Sequence, residues 1–202
     1  EMDLVQKAKD LLQKREYRTV KDMLKGHMGG KSNGGGGGGG STDNIALLHL
    51  AARADAYMGN MDASMDKVNR ALRYNPNQAD GLAVRGAILY LAGETEKGLH
   101  LLQDAYARDK ENKPIKQELQ QCHRTHTSLA KGRSCVKRGR YMEAVEHFTA
   151  AMKEKTLVPE KTPLFAMVRC ERAEAWMLSQ NFIQALKDCE DVIASQPENA
   201  TA

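Results

Sequence analysis

The sequence predicts an all-α protein, a solenoid of antiparallel helix pairs, and three observations carry that prediction. Five stretches of the 202-residue chain fall into one register about 34 residues long when started at Glu1, Ile45, Ala79, Thr125 and Ala166. Small residues recur at the eighth place (Ala8, Ala52, Gly86, Gly132, Ala173), and the twentieth is mostly small (Val20, Ser64, Gly98, Ala144, Ala185). Two antiparallel helices approach closely only where side chains are small, so these places mark the contact line within each pair. The composition agrees: aromatics make up 5% of the chain, prolines number five, and alternating β-branched runs are scarce, which leaves no strand to predict.

The other places follow the same rule. Place twenty-four is apolar or nearly so (Leu24, Val68, Leu102, Phe148, Cys189) and fills the gap between neighbouring pairs. Place fifteen is a turn residue in three units (Gly59, Gly93, Gly139), with Arg15 and Gln180 as exceptions, and Pro76 and Pro197 close two units.

Taken in order, residues 1–26 are expected to form the first helix pair, beginning with the amphipathic stretch EMDLVQKAKDLLQKR rather than a signal peptide. Residues 27–43 read as a flexible linker, because seven consecutive glycines (Gly34 to Gly40) each cost a helix about 1 kcal/mol relative to Ala. Ser41, Thr42 or Asp43 can cap the helix that follows. A two-repeat block is expected over 44–112, with helices near 45–57, 61–74, 79–91 and 95–108. The unit spacing then stretches from 34 residues (Ile45 to Ala79) to 46 (Ala79 to Thr125), and the added sequence is still helical in pattern, with Pro114 near its start. This predicts one long connecting helix over 113–137, shared with a second two-repeat block over 125–202 whose helices fall near 141–154, 164–178 and 182–194. The last unit lacks a polar closing helix, so the array is expected to continue past Ala202.

Several chemistries are argued against. No apolar run reaches the roughly 18 residues a membrane span needs. The segment GHMGGKS fails as a phosphate-binding loop: three residues, not four, separate Gly26 from Gly30, and no strand precedes it. Cys122, His123 and His126 offer a helical spacing for two zinc ligands, but a structural zinc takes four and a catalytic one three. No nucleophile, base and orienting acid fall together, so neither an enzyme nor a cofactor or metal is expected. Cys122, Cys135, Cys170 and Cys189 form no CxxC pair and read as reduced, buried thiols, which favours the cytoplasm or the nucleus.

Charge is uneven. Residues 107–140 carry ten Lys or Arg against three acids, a net +7, so the rest of the chain nets −3 of the total +4. Nucleic-acid binding through this segment is the weaker reading, since no aromatic lies between Tyr106 and Tyr141 to stack on bases. A solvated basic helix face is the leading reading, and attraction to an acidic partner or a chaperone tail comes next.

The repeated register resembles the tetratricopeptide repeat, and the resemblance covers nearly the whole chain. It implies that the first helix of each pair lines an inner groove through places two, five, nine, twelve and thirteen. The candidate peptide-binding residues are then His49, Arg53 and Tyr57, Ala83, Ala87 and Tyr90, Arg133 and Lys137, and Met167 and Glu174. Such a lining, mixed apolar, aromatic and basic, suits an extended peptide or a partner helix. The two-carboxylate clamp by which many such proteins grip acidic chaperone tails is incomplete in every register; the second to fourth units offer His49, Arg53, Val84, His126 and Ala130. The overlong basic helix, the segment AKGRSCVKRGRYMEAVEHFTAAM and the proline-containing loop before the last pair look like the repeat region of J-domain co-chaperones. That resemblance implies a non-catalytic module binding a heat-shock chaperone or an unfolded client, in the cytoplasm or, as in other members of the family, the endoplasmic-reticulum lumen. The alternative is a scaffold subunit of a larger ciliary or RNA-processing assembly.

Overall fold

The structure is a computed structural model that describes residues 2–28, 42–154 and 159–195. Among these residues it contains ten helices and no strand: α1 (Met2–Gln13), α2 (Tyr17–Met28), α3 (Thr42–Tyr57), α4 (Met61–Tyr74), α5 (Ala79–Leu91), α6 (Thr95–Arg108), α7 (Lys113–Lys137), α8 (Tyr141–Lys153), α9 (Pro163–Leu178) and α10 (Phe182–Ser195). The long connecting helix is α7, entered through Asn112, whose side chain accepts from the Ile115 N–H, with Pro114 in the first turn. Thr162 starts α9 the same way, accepting from Phe165 N–H ahead of Pro163. Most of the expected linker, residues 29–41, lies outside the described residues, as do residues 196–202.

Each pair turns by the same device. Place fifteen has positive φ in all five units: Arg15 (62°), Gly59 (87°), Gly93 (93°), Gly139 (74°) and Gln180 (63°). The N–H of place sixteen donates to the carbonyl of place eleven each time, Glu16 to Leu11, Asn60 to Asp55, Glu94 to Leu89, Arg140 to Cys135 and Asn181 to Trp176, all at 2.9 to 3.0 Å. This is a helix C-terminus closed by a left-handed residue, which satisfies carbonyls the helix cannot.

Within a pair, the small places touch. Ser64 at place twenty donates its hydroxyl to the carbonyl of Ala52 at place eight, 2.7 Å away. A Cβ on Gly86 would lie 2.9 Å from the Gly98 carbonyl oxygen, and one on Gly132 would lie 2.6 Å from the Phe148 ring. The pairs then stack through their bulky residues. One cluster runs from α5 to α9 around Tyr90, Leu102, Leu129, Phe148, Leu164 and Val168, and smaller clusters join α1 and α2 to α3 and α3 to α5. Burying a large apolar side chain of this kind stabilises by about 1.5–3 kcal/mol.

The long connecting helix and the first helix pair both acquire partners. Ile115, Cys122 and Leu129 bury one face of α7 in the main cluster, so the long helix is packed along its length and the core is continuous past it. Across residues 29–41, the buried carboxylate of Asp55 on α3 holds Lys21 of α2 (3.0 Å) and Lys67 of α4 (2.5 Å), fastening the first pair to the second unit. The loop before α9 seats on the α3–α4 turn, where a Cβ on Gly59 would meet the Lys161 carbonyl oxygen at 2.6 Å.

The fifth unit differs from the others on its outer side. At place twenty-one, Leu99 and Val145 are each 5% exposed beneath the helix that follows, whereas Leu186 is 61% exposed. Phe182, Ile183 and Ile193 are exposed beside it on α10.

Candidate peptide-binding groove

The first helices of successive pairs lie side by side, and a cavity of about 590 Å³ opens between α3, α5 and the start of α7. Its apolar wall is Ala46, Leu50, Ala83, Val84, Pro114 and Ile115, and its polar edge is Lys9, His49, Arg53, Asp80, Asn112 and Glu118, with Glu111 and Lys113 at the mouth. α7 belongs to this wall because its first half stands where the first helix of another unit would stand. Lys113 lies 34 residues after Ala79, one repeat on, and the chain continues as helix instead of turning.

Arg53 crosses this wall. Its Nη1 and Nη2 donate to Glu118 Oε1 and Oε2 at 2.5 and 2.8 Å, a two-bond fork between α3 and α7. Burial alone would lower the arginine pKa, and the Glu118 carboxylate more than reverses that, so the guanidinium stays charged. His49 is buried, with Nε2 unpartnered among the described residues. Burial, reinforced by the Arg53 charge, lowers its pKa to about 4 and leaves it neutral at pH 7.

His49, Arg53 and Ala83 therefore line the cavity, and the other expected groove residues go elsewhere. Ala87 is buried outside the cavity lining, and Tyr90 is fully buried beneath α7, its hydroxyl donating to the Cys122 carbonyl at 3.1 Å. Tyr57 is half-buried with its ring 5.0 Å from that of Tyr17, and it lines a second cavity of about 380 Å³ beside Pro159. Arg133 forks onto Glu171 (Nε to Oε2 2.9 Å, Nη2 to Oε1 2.6 Å), with Met167 Sδ 4.0 Å from Nη2. Lys137 and Glu174 are exposed. Ala46, Leu50, Asp80, Val84, Ile115 and Glu118 are lining residues outside the expected groove set, Val84 having been named only as the occupant of a clamp place. Ala46 and Asp80 occupy place two of their units, a groove place, and were legible on that ground.

The remaining chemistry-bearing residues are dispersed. Cys122 is buried in the main cluster, and burial pushes its thiol pKa up, while His123 is exposed on α7. No group of three or more His, Cys, Asp or Glu side chains placed to share a metal ion occurs among the described residues. No described helix is long and apolar enough to cross a membrane.

Five helix pairs, each turned by a left-handed residue at the same place and stacked through its first helix, constitute the tetratricopeptide-repeat fold. The crystal structure of the P58(IPK) TPR domain aligns with 98% of this chain over 52% of its own length, at a TM-score of 0.60 and 15% identity, a likeness of fold. A crystal structure of MamA aligns with 96% of the chain and 98% of its own, at a lower TM-score of 0.41 and 14% identity. Among curated proteins, the DnaJ homolog subfamily C member 7 homolog of Schizosaccharomyces pombe is 23% identical over 150 residues, 74% of this chain. The chain spans 31% of that relative's length. No protein-family model matches the chain.

Proposed function

We propose that this chain is a protein-interaction module without chemistry of its own, the client- or chaperone-binding repeat region of a J-domain co-chaperone working in the cytoplasm. The observation that carries the reading is the cavity between α3, α5 and α7, walled by Leu50, Val84 and Ile115 and edged by groups able to hydrogen-bond a backbone. A cleft with apolar walls and a few polar groups suits an extended segment, whose backbone bonds at the edge while alternate side chains enter the cavity. Similarity to a J-domain protein over 150 residues supports the co-chaperone half of the reading. Four free cysteines support a reducing compartment.

The experiment is a titration with an uncharged, end-blocked peptide of a dozen residues alternating Leu and Ser, comparing the unaltered chain with Ala46→Arg. Ala46 is half-buried and lines the cavity, so arginine there fills the cleft without entering the core. Saturable binding lost in Ala46→Arg is the expected result; equal binding by both proteins refutes the groove.

A further inference from the structure

Both candidate arginines of the groove are already held by carboxylates of this chain. We infer that Glu118 is a specificity residue: by occupying Arg53, the arginine that lines the cavity, it disfavours acidic segments there and reserves the cavity for uncharged, apolar ones. This rests on the groove reading proposed above.

The two forks are built alike. Arg53 and Arg133 each stand at place nine of their units, and each is met by a glutamate from a helix further along the array, 65 residues away in one case and 38 in the other. Each guanidinium presents two N–H donors to two carboxylate oxygens at 2.5 to 2.9 Å, Arg53 through Nη1 and Nη2 and Arg133 through Nε and Nη2, so one two-donor edge of each is already taken. A second carboxylate arriving there would face the negative charge of the first at contact distance, in surroundings where water screens little. The Arg53 and Glu118 side chains are only 23% and 14% exposed.

Nothing else in the upstream cavity restores a net positive charge. Its cations are Lys9, Arg53 and Lys113, and its acids are Asp80, Glu111 and Glu118, three against three. His49 adds none at neutral pH, since burial keeps its ring unprotonated. The basic excess of residues 107–140 therefore does not act inside this cavity: of those arginines and lysines only Lys113 lines it. A cavity with no net charge, apolar walls and a pre-paired arginine selects by shape and apolar contact, and Glu118 repels a carboxylate that approaches Arg53.

The test uses two end-blocked peptides, the alternating Leu/Ser peptide and its counterpart with Glu in place of Ser, titrated into the unaltered chain, Glu118→Gln and Glu171→Gln. Glutamine keeps the length of glutamate and removes its charge. Folding of each variant is verified by helical circular dichroism; Glu118→Met serves if Glu118→Gln fails to fold, and Glu171→Gln, whose fork lies outside the cavity, is the control. The unaltered chain is expected to bind the Ser peptide and to bind the Glu peptide at least tenfold more weakly. Glu118→Gln should then gain on the order of tenfold for the Glu peptide while its affinity for the Ser peptide stays within about twofold, and Glu171→Gln should match the unaltered chain. If the Ser peptide binds and the Glu peptide gains nothing in the Glu118 variant, or gains as much in Glu171→Gln, the specificity assignment falls and the groove stands. If neither peptide binds the unaltered chain, both fall.

Discussion

Gly98→Ala is the substitution that most sharply separates a register-built contact line from ordinary helix packing. A Cβ at residue 98 would lie 2.7 Å from the Gly86 carbonyl oxygen, 2.7 Å from the Tyr90 nitrogen and 2.8 Å from the Tyr90 Cβ. Each approach is roughly 0.7 Å inside ordinary van der Waals contact, and two of the three neighbours are backbone atoms that no rotamer change can move. The alanine gains about 1 kcal/mol of helix propensity over glycine. Against this, overpacking costs about 1–3 kcal/mol, and prising α5 from α6 also weakens the contacts of buried Tyr90 and Leu102. The net loss is about 1–2 kcal/mol, which for a chain of this size lowers Tm by roughly 3–6 °C. Far-UV circular dichroism against temperature reads it, with Gln103→Ala on the exposed side of the same helix as the control. A Gly98→Ala protein melting at or above the parent temperature would refute the claim that places eight and twenty set the helix spacing.

The non-glycine turns give the opposite sign. Gln180 holds φ at 63° with an L side chain, a strain of roughly 1–2 kcal/mol that exceeds the entropic cost of glycine, so Gln180→Gly should stabilise by about 0.5–1 kcal/mol in urea unfolding. Val145 and Leu186 occupy the same place in successive units but are 5% and 61% exposed, so Val145→Glu should lower the urea midpoint severely and Leu186→Glu should shift stability by no more than about 0.5 kcal/mol. His49 has its pKa depressed to about 4 in the fold, so between that value and its unfolded pKa the unfolded chain binds the extra proton. Its contribution is complete above about pH 6.5 and declines by up to about 1.4 kcal/mol per pH unit as pH falls toward 4. A stability-against-pH series should show this slope, and His49→Gln should remove it.

The parts of the fold that repeat were legible in the sequence, because periodicity is a local signal. Arg15 and Gln180 stood out only as exceptions at place fifteen, yet their backbones adopt the same left-handed turn as the three glycines, since closing the pair requires that conformation whatever side chain is present. The length of α7 followed from the stretched spacing and Pro114, and its helix ends where expected.

Its packing did not follow. The first half of α7 takes the position of a first helix in the next unit and covers α5, so Tyr90, at a groove place, becomes a core residue bonded to the Cys122 carbonyl. The same displacement brings Glu118 to Arg53. Register assigned Arg53 and Arg133 to the groove face, but pairing across 65 or 38 residues is a property of how helices are juxtaposed, and no periodicity reports it.

Methyl chemical-shift mapping of the labelled chain, titrated with the uncharged Leu/Ser peptide, tests groove binding most directly. Binding between α3, α5 and α7 predicts saturable shifts at Ala46, Leu50, Val84 and Ile115, with the exposed α10 methyls of Ile183, Leu186 and Ile193 unmoved. Shifts confined to those α10 methyls, with the cavity methyls silent, would contradict it.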